Sequence, residues 1–358
     1  MTRATTPAPD GYRPPGWLRG AHAQTIWPAT VAPRARVAYR RERWTTPDGD
    51  FIDVDFAQGP GLREDAPMLV LFHGLEGSSS SHYATALMAA ALGRGWRGAV
   101  AHFRGCSGEL NLKARAYHSG DSAEIDWILR RFAGIGAPSA PLLAAGVSLG
   151  ANALLKWLGE QGEAAGFVSA AVAVSAPQDL AAGAAALSRG FNRVYTDNFL
   201  RTLKRKSLAK LAQHPGLFDR ERMLASRDFF DFDDAVTAPM HGFASCHDYW
   251  ARSSSRQFLG GIRVPTLVIN ALNDPFLPAA SLATAAQVSR FVQLDYPAQG
   301  GHVGFLDGGF PGRFTWLPHR AHGFLAEHLP GARLSADRDD RLGSHAAHTP
   351  GLGSPAHG

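Results

Sequence analysis

The chain has 358 residues, 45% of them hydrophobic and 19% charged, with a formal net charge of +5. That composition fills a large core and excludes a disordered chain. Two cysteines, Cys106 and Cys246, exclude a disulfide framework, no Cys/His spacing reads as a metal site, and the basic excess lacks the aromatic–basic module of a nucleic-acid surface.

Residues 1–34 read as an N-terminal segment lying on or near the core. Met1 to Leu18 is proline-rich and has no continuous apolar stretch of the kind a signal peptide needs, so a cytoplasmic protein is expected, with peripheral membrane contact as the alternative. Residues 35–44 and 50–56 flank Pro47-Asp48-Gly49 and predict a hairpin at a sheet edge. Apolar strands are then predicted at 68–73, 98–103, 142–147 and 170–175, alternating with helices near 81–93, 119–133 and 150–161. The uncharged window between Arg131 and Lys156 contains Gly134, Gly136, Pro138 and Pro141, so it reads as a buried strand with its flanks and not as a membrane span. Residues 178–262 are helical in pattern and read as a cap inserted into the core. Within it Arg201, Lys204, Arg205, Lys206 and Lys210 share an amphipathic stretch with Phe199, Leu200, Leu203 and Leu208. The plain reading is a solvated helix face, and the sharper alternative is contact with anionic lipid surfaces. Val264–Asn270 and Phe291–Tyr296 complete the strands. The expected fold is α/β: a doubly wound, mostly parallel sheet with core residues 35–177 and 263–330, a cap at 178–262, and a disordered Gly/His/Ser/Pro tail at 331–358.

The chemistry centres on Gly146-Val147-Ser148-Leu149-Gly150, which closes one apolar run and opens a helical one. In that context it is a strand–turn–helix elbow, with Ser148 at a strained apex and small residues where strand and helix touch. A serine hydroxyl is a weak nucleophile at neutral pH and needs a base and an orienting acid, in the chain order Ser, Asp, His at strand ends. Asp274, at the tip of Asn273-Asp274-Pro275, is the acid, and His302, on the glycine-flanked loop Gly300-Gly301-His302, is the base. The backbone N–H groups of Leu149 and Leu75 are the candidate oxyanion donors, Leu75 lying in the His73-Gly74-Leu75-Glu76-Gly77 loop. His73 reads as a structural residue pinning that loop, and Glu76 is expected to face solvent or a cation. His118 upstream, and the pair His247 and Asp248 in the cap, compete as acid and base but fall outside the expected order. Cys106, after a strand, has a pocket position as its alternative to a plain buried thiol.

These motifs resemble the α/β-hydrolase superfamily. The stretches Gly20-Ala21-His22-Ala23-Gln24-Thr25-Ile26-Trp27-Pro28, Phe103-Arg104-Gly105-Cys106-Ser107-Gly108-Glu109, Tyr117-His118-Ser119-Gly120 and Ser148-Leu149-Gly150-Ala151-Asn152 resemble its YheT-like branch over roughly residues 15–330. The resemblance implies a carboxylesterase acting on lipid-related esters through Ser148, Asp274 and His302, without a cofactor and with a small-molecule ester as partner. Acyl transfer to an alcohol is the alternative within catalysis, and a catalytically silent ligand-binding member is the alternative outside it.

Overall fold

The structure is a computed structural model and describes residues 11–330; the first ten residues, and the tail expected at 331–358, lie outside the described residues. In chain order it contains α1 (Ala21–Thr30), β1 (Ala38–Thr45), β2 (Phe51–Gln58), β3 (Met68–Phe72), α2 (His82–Gly93), β4 (Arg97–Ala101), α3 (Ser122–Ile135), β5 (Leu142–Val147), α4 (Leu149–Gln161) and β6 (Val168–Val174). Six helices follow: α5 (Leu180–Leu187), α6 (Arg193–Gln213), α7 (Arg220–Ala225), α8 (Phe229–Phe232), α9 (Ala238–His241) and α10 (Cys246–Ser253). Then come β7 (Thr266–Ile269), β8 (Val292–Asp295) and α11 (Trp316–Glu327).

The strands form one eight-stranded sheet in the order β1-β2-β4-β3-β5-β6-β7-β8. β1 and β2 pair antiparallel, β2 meets β4 antiparallel, and every later pairing is parallel. β3 and β5 are buried along their whole length, as parallel strands covered on both faces must be. Their alternate side chains serve two different cores. Val70, Phe72 and Ala144 pack with Ile125, Leu129, Leu154 and Trp157 of α3 and α4, whereas Leu69, Leu71, Leu143 and Val147 pack with Leu87, Met88 and Phe324 of α2 and α11. This is why both strands read as unbroken apolar runs. The chain leaves β3 for β4 on one side and returns through α3 to β5 on the other, so the order reverses between β3 and β5. A crevice opens beyond the carboxyl ends of strands at such a point. The loop after β3 and the elbow after β5 meet there.

The helices between β6 and β7 build their own small core from Leu200, Phe218, Met223, Phe232, Ala235 and Val236. Part of the basic stretch on α6 departs from the expected solvated face. Lys204 donates to the carbonyls of Leu224 and Ser226, Lys206 reaches Glu76, and buried Lys210 donates to the Asn111 and Lys113 carbonyls at 2.7 and 3.0 Å. Long ammonium side chains here satisfy loop carbonyls that would otherwise be stranded. Arg201 and Arg205 are the two cations of the stretch left exposed.

Candidate active site

The elbow follows from its glycines. Ser148 has φ 52° and ψ −118°, a conformation that an L-residue holds only when its surroundings enforce it. A Cβ on Gly146 would lie 2.6 Å from Ala151 Cα, and one on Gly150 would lie 2.5 Å from the Phe72 and His73 carbonyl oxygens. Helix α4 can therefore start directly against β3 and β5 only with hydrogen at both positions. Ser148 N–H donates to the Val174 carbonyl at 2.8 Å, fixing the apex to β6.

The three residues named from the sequence meet at this apex. His302 Nε2 is 3.0 Å from Ser148 Oγ, and His302 Nδ1 is 2.7 Å from Asp274 Oδ2. The other Asp274 oxygen accepts the Phe276 N–H at 2.8 Å, and the Phe276 ring stacks on the His302 imidazole with centroids 4.2 Å apart. The Asp274 side chain is inaccessible to solvent, and the His302 side chain is 11% exposed. Leu75 and Leu149 both line the cavity above Ser148, and among the described residues no protein group accepts either N–H. A Cβ on Gly74 would stand 3.1 Å from Ser148 Cβ, so the loop after β3 presses directly on the serine.

Helix α1 supplies a clamp with no counterpart in the sequence reasoning. Gln24 is fully buried; its Oε1 accepts from Asn273 Nδ2 at 2.9 Å and Gly300 N at 3.0 Å, while its Nε2 donates to the Leu18 carbonyl and to Gln299. Thr25 Oγ1 accepts the His302 N–H at 2.9 Å, and Asn273 Oδ1 accepts the Gly301 N–H at 3.0 Å. One helix therefore ties the loop that carries Asp274 to the loop that carries His302. The sequence signal for it is the Gln24-Thr25 pair inside the Gly20–Pro28 motif.

Residues 67–309 match the family described as alpha/beta hydrolase fold. YheT of Escherichia coli, provisionally named an esterase, is 39% identical over 313 residues, spanning 86% of this chain and 91% of the relative. The chain belongs to the α/β-hydrolase family. Within the family it falls in the YheT-like branch. The mouse phospholipase ABHD3 is 30% identical over 317 residues, covering 86% of this chain and 76% of that protein. Among solved structures, the Pyrococcus furiosus esterase Pf2001 superposes with a TM-score of 0.52 at 16% identity, covering 84% of this chain and 99% of that one, which shows the shared fold.

Other residues of this α/β-hydrolase chain separate cleanly from the serine. His73 is wholly buried, accepts the Phe103 N–H on Nε2 and faces the Gly74 carbonyl with Nδ1; burial pushes its pKa down to about 3, so it stays neutral and pins the loop. Glu76 meets a cation, with Lys206 at 2.7 Å and Tyr117 Oη at 2.9 Å. Tyr117 Oη in turn accepts the Glu76 N–H, which holds Glu76 at its φ of 55°. Asp248 is spent on the Ala244 N–H and Arg252, and His247 packs on Phe230 and Trp250. Cys106 is buried, and desolvation pushes its thiol up to about 11. His118 lines the cavity opposite His241, with ring centroids 4.5 Å apart, and burial pushes both down to about 3. Asn152, from the elbow motif, donates to the Ser119 and Ser253 carbonyls and accepts the Ser255 N–H, binding α4 to the loop before α3 and to the end of α10. Among the described residues no group of His, Cys, Asp and Glu could hold a metal, and no helix is long and apolar enough to cross a membrane.

Proposed function

We propose that the chain is a serine-dependent hydrolase of carboxylic esters, working through an acyl-enzyme on short- to medium-chain acyl esters of lipid-like character. What carries this reading is the unbroken relay Asp274 Oδ2, His302 Nδ1, His302 Nε2, Ser148 Oγ, with links of 2.7 and 3.0 Å, at the floor of a cavity of about 870 Å³. That volume suits a small-molecule ligand.

In this reading His302 Nε2 takes the Ser148 proton as Oγ bonds to the ester carbonyl carbon. The carbonyl oxygen gains the negative charge and accepts hydrogen bonds from the Leu75 and Leu149 N–H groups. Collapse of the tetrahedral intermediate breaks the bond to the alcohol oxygen, which leaves with the proton from His302. Water then repeats the sequence, His302 taking its proton and returning one to Ser148, and the acid departs. Asp274 fixes the imidazole tautomer and stabilises the transient imidazolium. The Phe276 ring and the α1 clamp limit how far the imidazole can swing. The helices of residues 178–262 act as a cap, since Phe199, Val236, Met240 and Trp250 supply one wall of the cavity. The esterase and phospholipase names of the relatives support ester chemistry and a lipid-like substrate.

The test is turnover of p-nitrophenyl esters from acetate to palmitate. Ser148→Ala is expected to lose a thousandfold or more in kcat while keeping its melting temperature. A variant that hydrolysed them at the wild-type rate would remove Ser148 from the mechanism.

A further inference from the structure

The helices above the serine carry a second polar feature that the ester chemistry does not use. Between α8 and α9 the backbone makes a π-helical turn, Asp233–Thr237, a local irregularity that recurs at functional sites. Asp233, its first residue, lines the cavity, and its carboxylate is held from two sides. Oδ1 accepts the Thr237 hydroxyl at 2.6 Å and Oδ2 accepts the Trp250 Nε1–H at 2.8 Å. Neither partner carries charge, and among the described residues no Lys, Arg or His forms an ion pair with Asp233.

Five cations line the cavity: Arg34 and Arg201 form no ion pair among the described residues and make neutral contacts only, with the Ser80 and Ala29 carbonyls and with Asn198, and the other three are committed elsewhere. Lys206 pairs with Glu76, Arg104 binds Asp48, Asp50 and Glu124, and Lys210 is taken up by the oxygens of Asn111 and Lys113. His118 and His241, on the same wall, are kept uncharged by their own burial. An aromatic side chain meets the carboxylate instead: Trp250, whose Nε1–H reaches Oδ2, lines the cavity together with Phe229, Phe232 and Tyr249. A half-buried carboxylate without an ion-pair partner, in a cavity with aromatic walls, is an arrangement that attracts an organic cation, through charge and through the rings.

We propose that Asp233 is a specificity residue that binds a cationic ammonium group on the substrate, at the cap end of the cavity whose floor is Ser148. The inference rests on the ester-hydrolase reading of that cavity. It assigns the π turn a purpose: its first and last residues, Asp233 and Thr237, hold the carboxylate against Trp250 at the cavity wall. The bound ammonium supplies the ion-pair partner that Asp233 lacks among the described residues.

Two measurements at pH 8 separate this proposal from the reading beneath it. The first compares kcat/KM for an acyl ester whose alcohol carries a trimethylammonium group with kcat/KM for its uncharged tert-butyl isostere. The ratio is expected to favour the cationic ester in the wild type and to fall at least tenfold in Asp233→Asn, which keeps the side-chain shape. A ratio within twofold of wild type overturns the proposal. The second measures binding of decyltrimethylammonium, below its micellar concentration, to Ser148→Ala by calorimetry. Binding at least ten times weaker when Asp233→Asn is added supports the site, and equal binding overturns it. If the wild type hydrolyses neither ester, the ester-hydrolase reading fails and calorimetry alone decides Asp233.

Discussion

Replacing Gln24 by Ala tests whether α1 is a clamp for the loops that carry Asp274 and His302 or a bystander. The substitution leaves two donors, Asn273 Nδ2 and Gly300 N–H, and two acceptors, the Leu18 carbonyl and Gln299 Oε1, without their partner at a site with no solvent exposure. An unsatisfied buried polar group costs about 1–3 kcal/mol, and water entering the vacated space recovers part of it, so a net loss of about 3 kcal/mol is expected. With unfolding entropy of about 2.1 cal/mol/K per residue over the described residues, that loss lowers the melting temperature by about 4 °C. Because Asn273 precedes Asp274 and Gly300 lies two residues before His302, both loops loosen, and kcat falls more than KM rises. Calorimetric melting and ester kinetics on purified Gln24→Ala give both numbers. A melting temperature within about 1 °C of wild type, together with unchanged kcat, would refute the clamp.

Gly150→Ala places a methyl 2.5 Å from two backbone oxygens that cannot move independently of β3, so about 1–3 kcal/mol of destabilisation is expected by urea unfolding; a neutral result would mean α4 can slide off the strand. Cys106 and Cys246 are both pushed up to about 11 by burial, leaving on the order of a thousandth as thiolate at pH 8. Neither should react with a disulfide reagent until the chain is unfolded, and rapid native modification of Cys106 contradicts that. Asp233 bears on stability as well as on binding. Burial raises its carboxyl from 3.8 to about 6, so between those values the folded chain holds a proton that the unfolded chain has released. Its contribution is fully present below about pH 4 and is lost as pH rises through about 6. Asp233→Asn should therefore melt higher than wild type at pH 8 and alongside it at pH 4, and an equal difference at both would show that the carboxyl is ordinary.

The parallel sheet was legible because strands buried on both faces cannot alternate: Leu69 to Phe72 and Leu142 to Val147 are apolar throughout, since successive side chains enter different cores. The elbow was legible because steric contact demands Gly146 and Gly150, and a steric demand leaves a local mark on the sequence. The loops carrying Asp274 and His302 could be read from their position after two short strands, the buried β7 and the half-exposed β8. Residues whose partners lie far along the chain left no such mark. Gln24 bonds to Asn273 and Gly300, about 250 and 276 positions away, and nothing near residue 24 announces either. The α6 lysines were misread for a related reason. Spacing along a helix shows which residues share a face but not what covers that face, and here loop carbonyls and Glu76 cover part of it. Asp233 was equally invisible, because a π turn has no sequence period of its own.

The most direct test of the central claim is intact-mass spectrometry after treatment with a fluorophosphonate, on wild type and on Ser148→Ala. Phosphonylation needs a serine whose proton is drawn off by a neighbouring base, the role proposed for His302 Nε2, which lies 3.0 Å from Ser148 Oγ. A single adduct on the wild type, absent from folded Ser148→Ala, is the predicted result. An unlabelled, folded wild type, or equal labelling of both proteins, would contradict it.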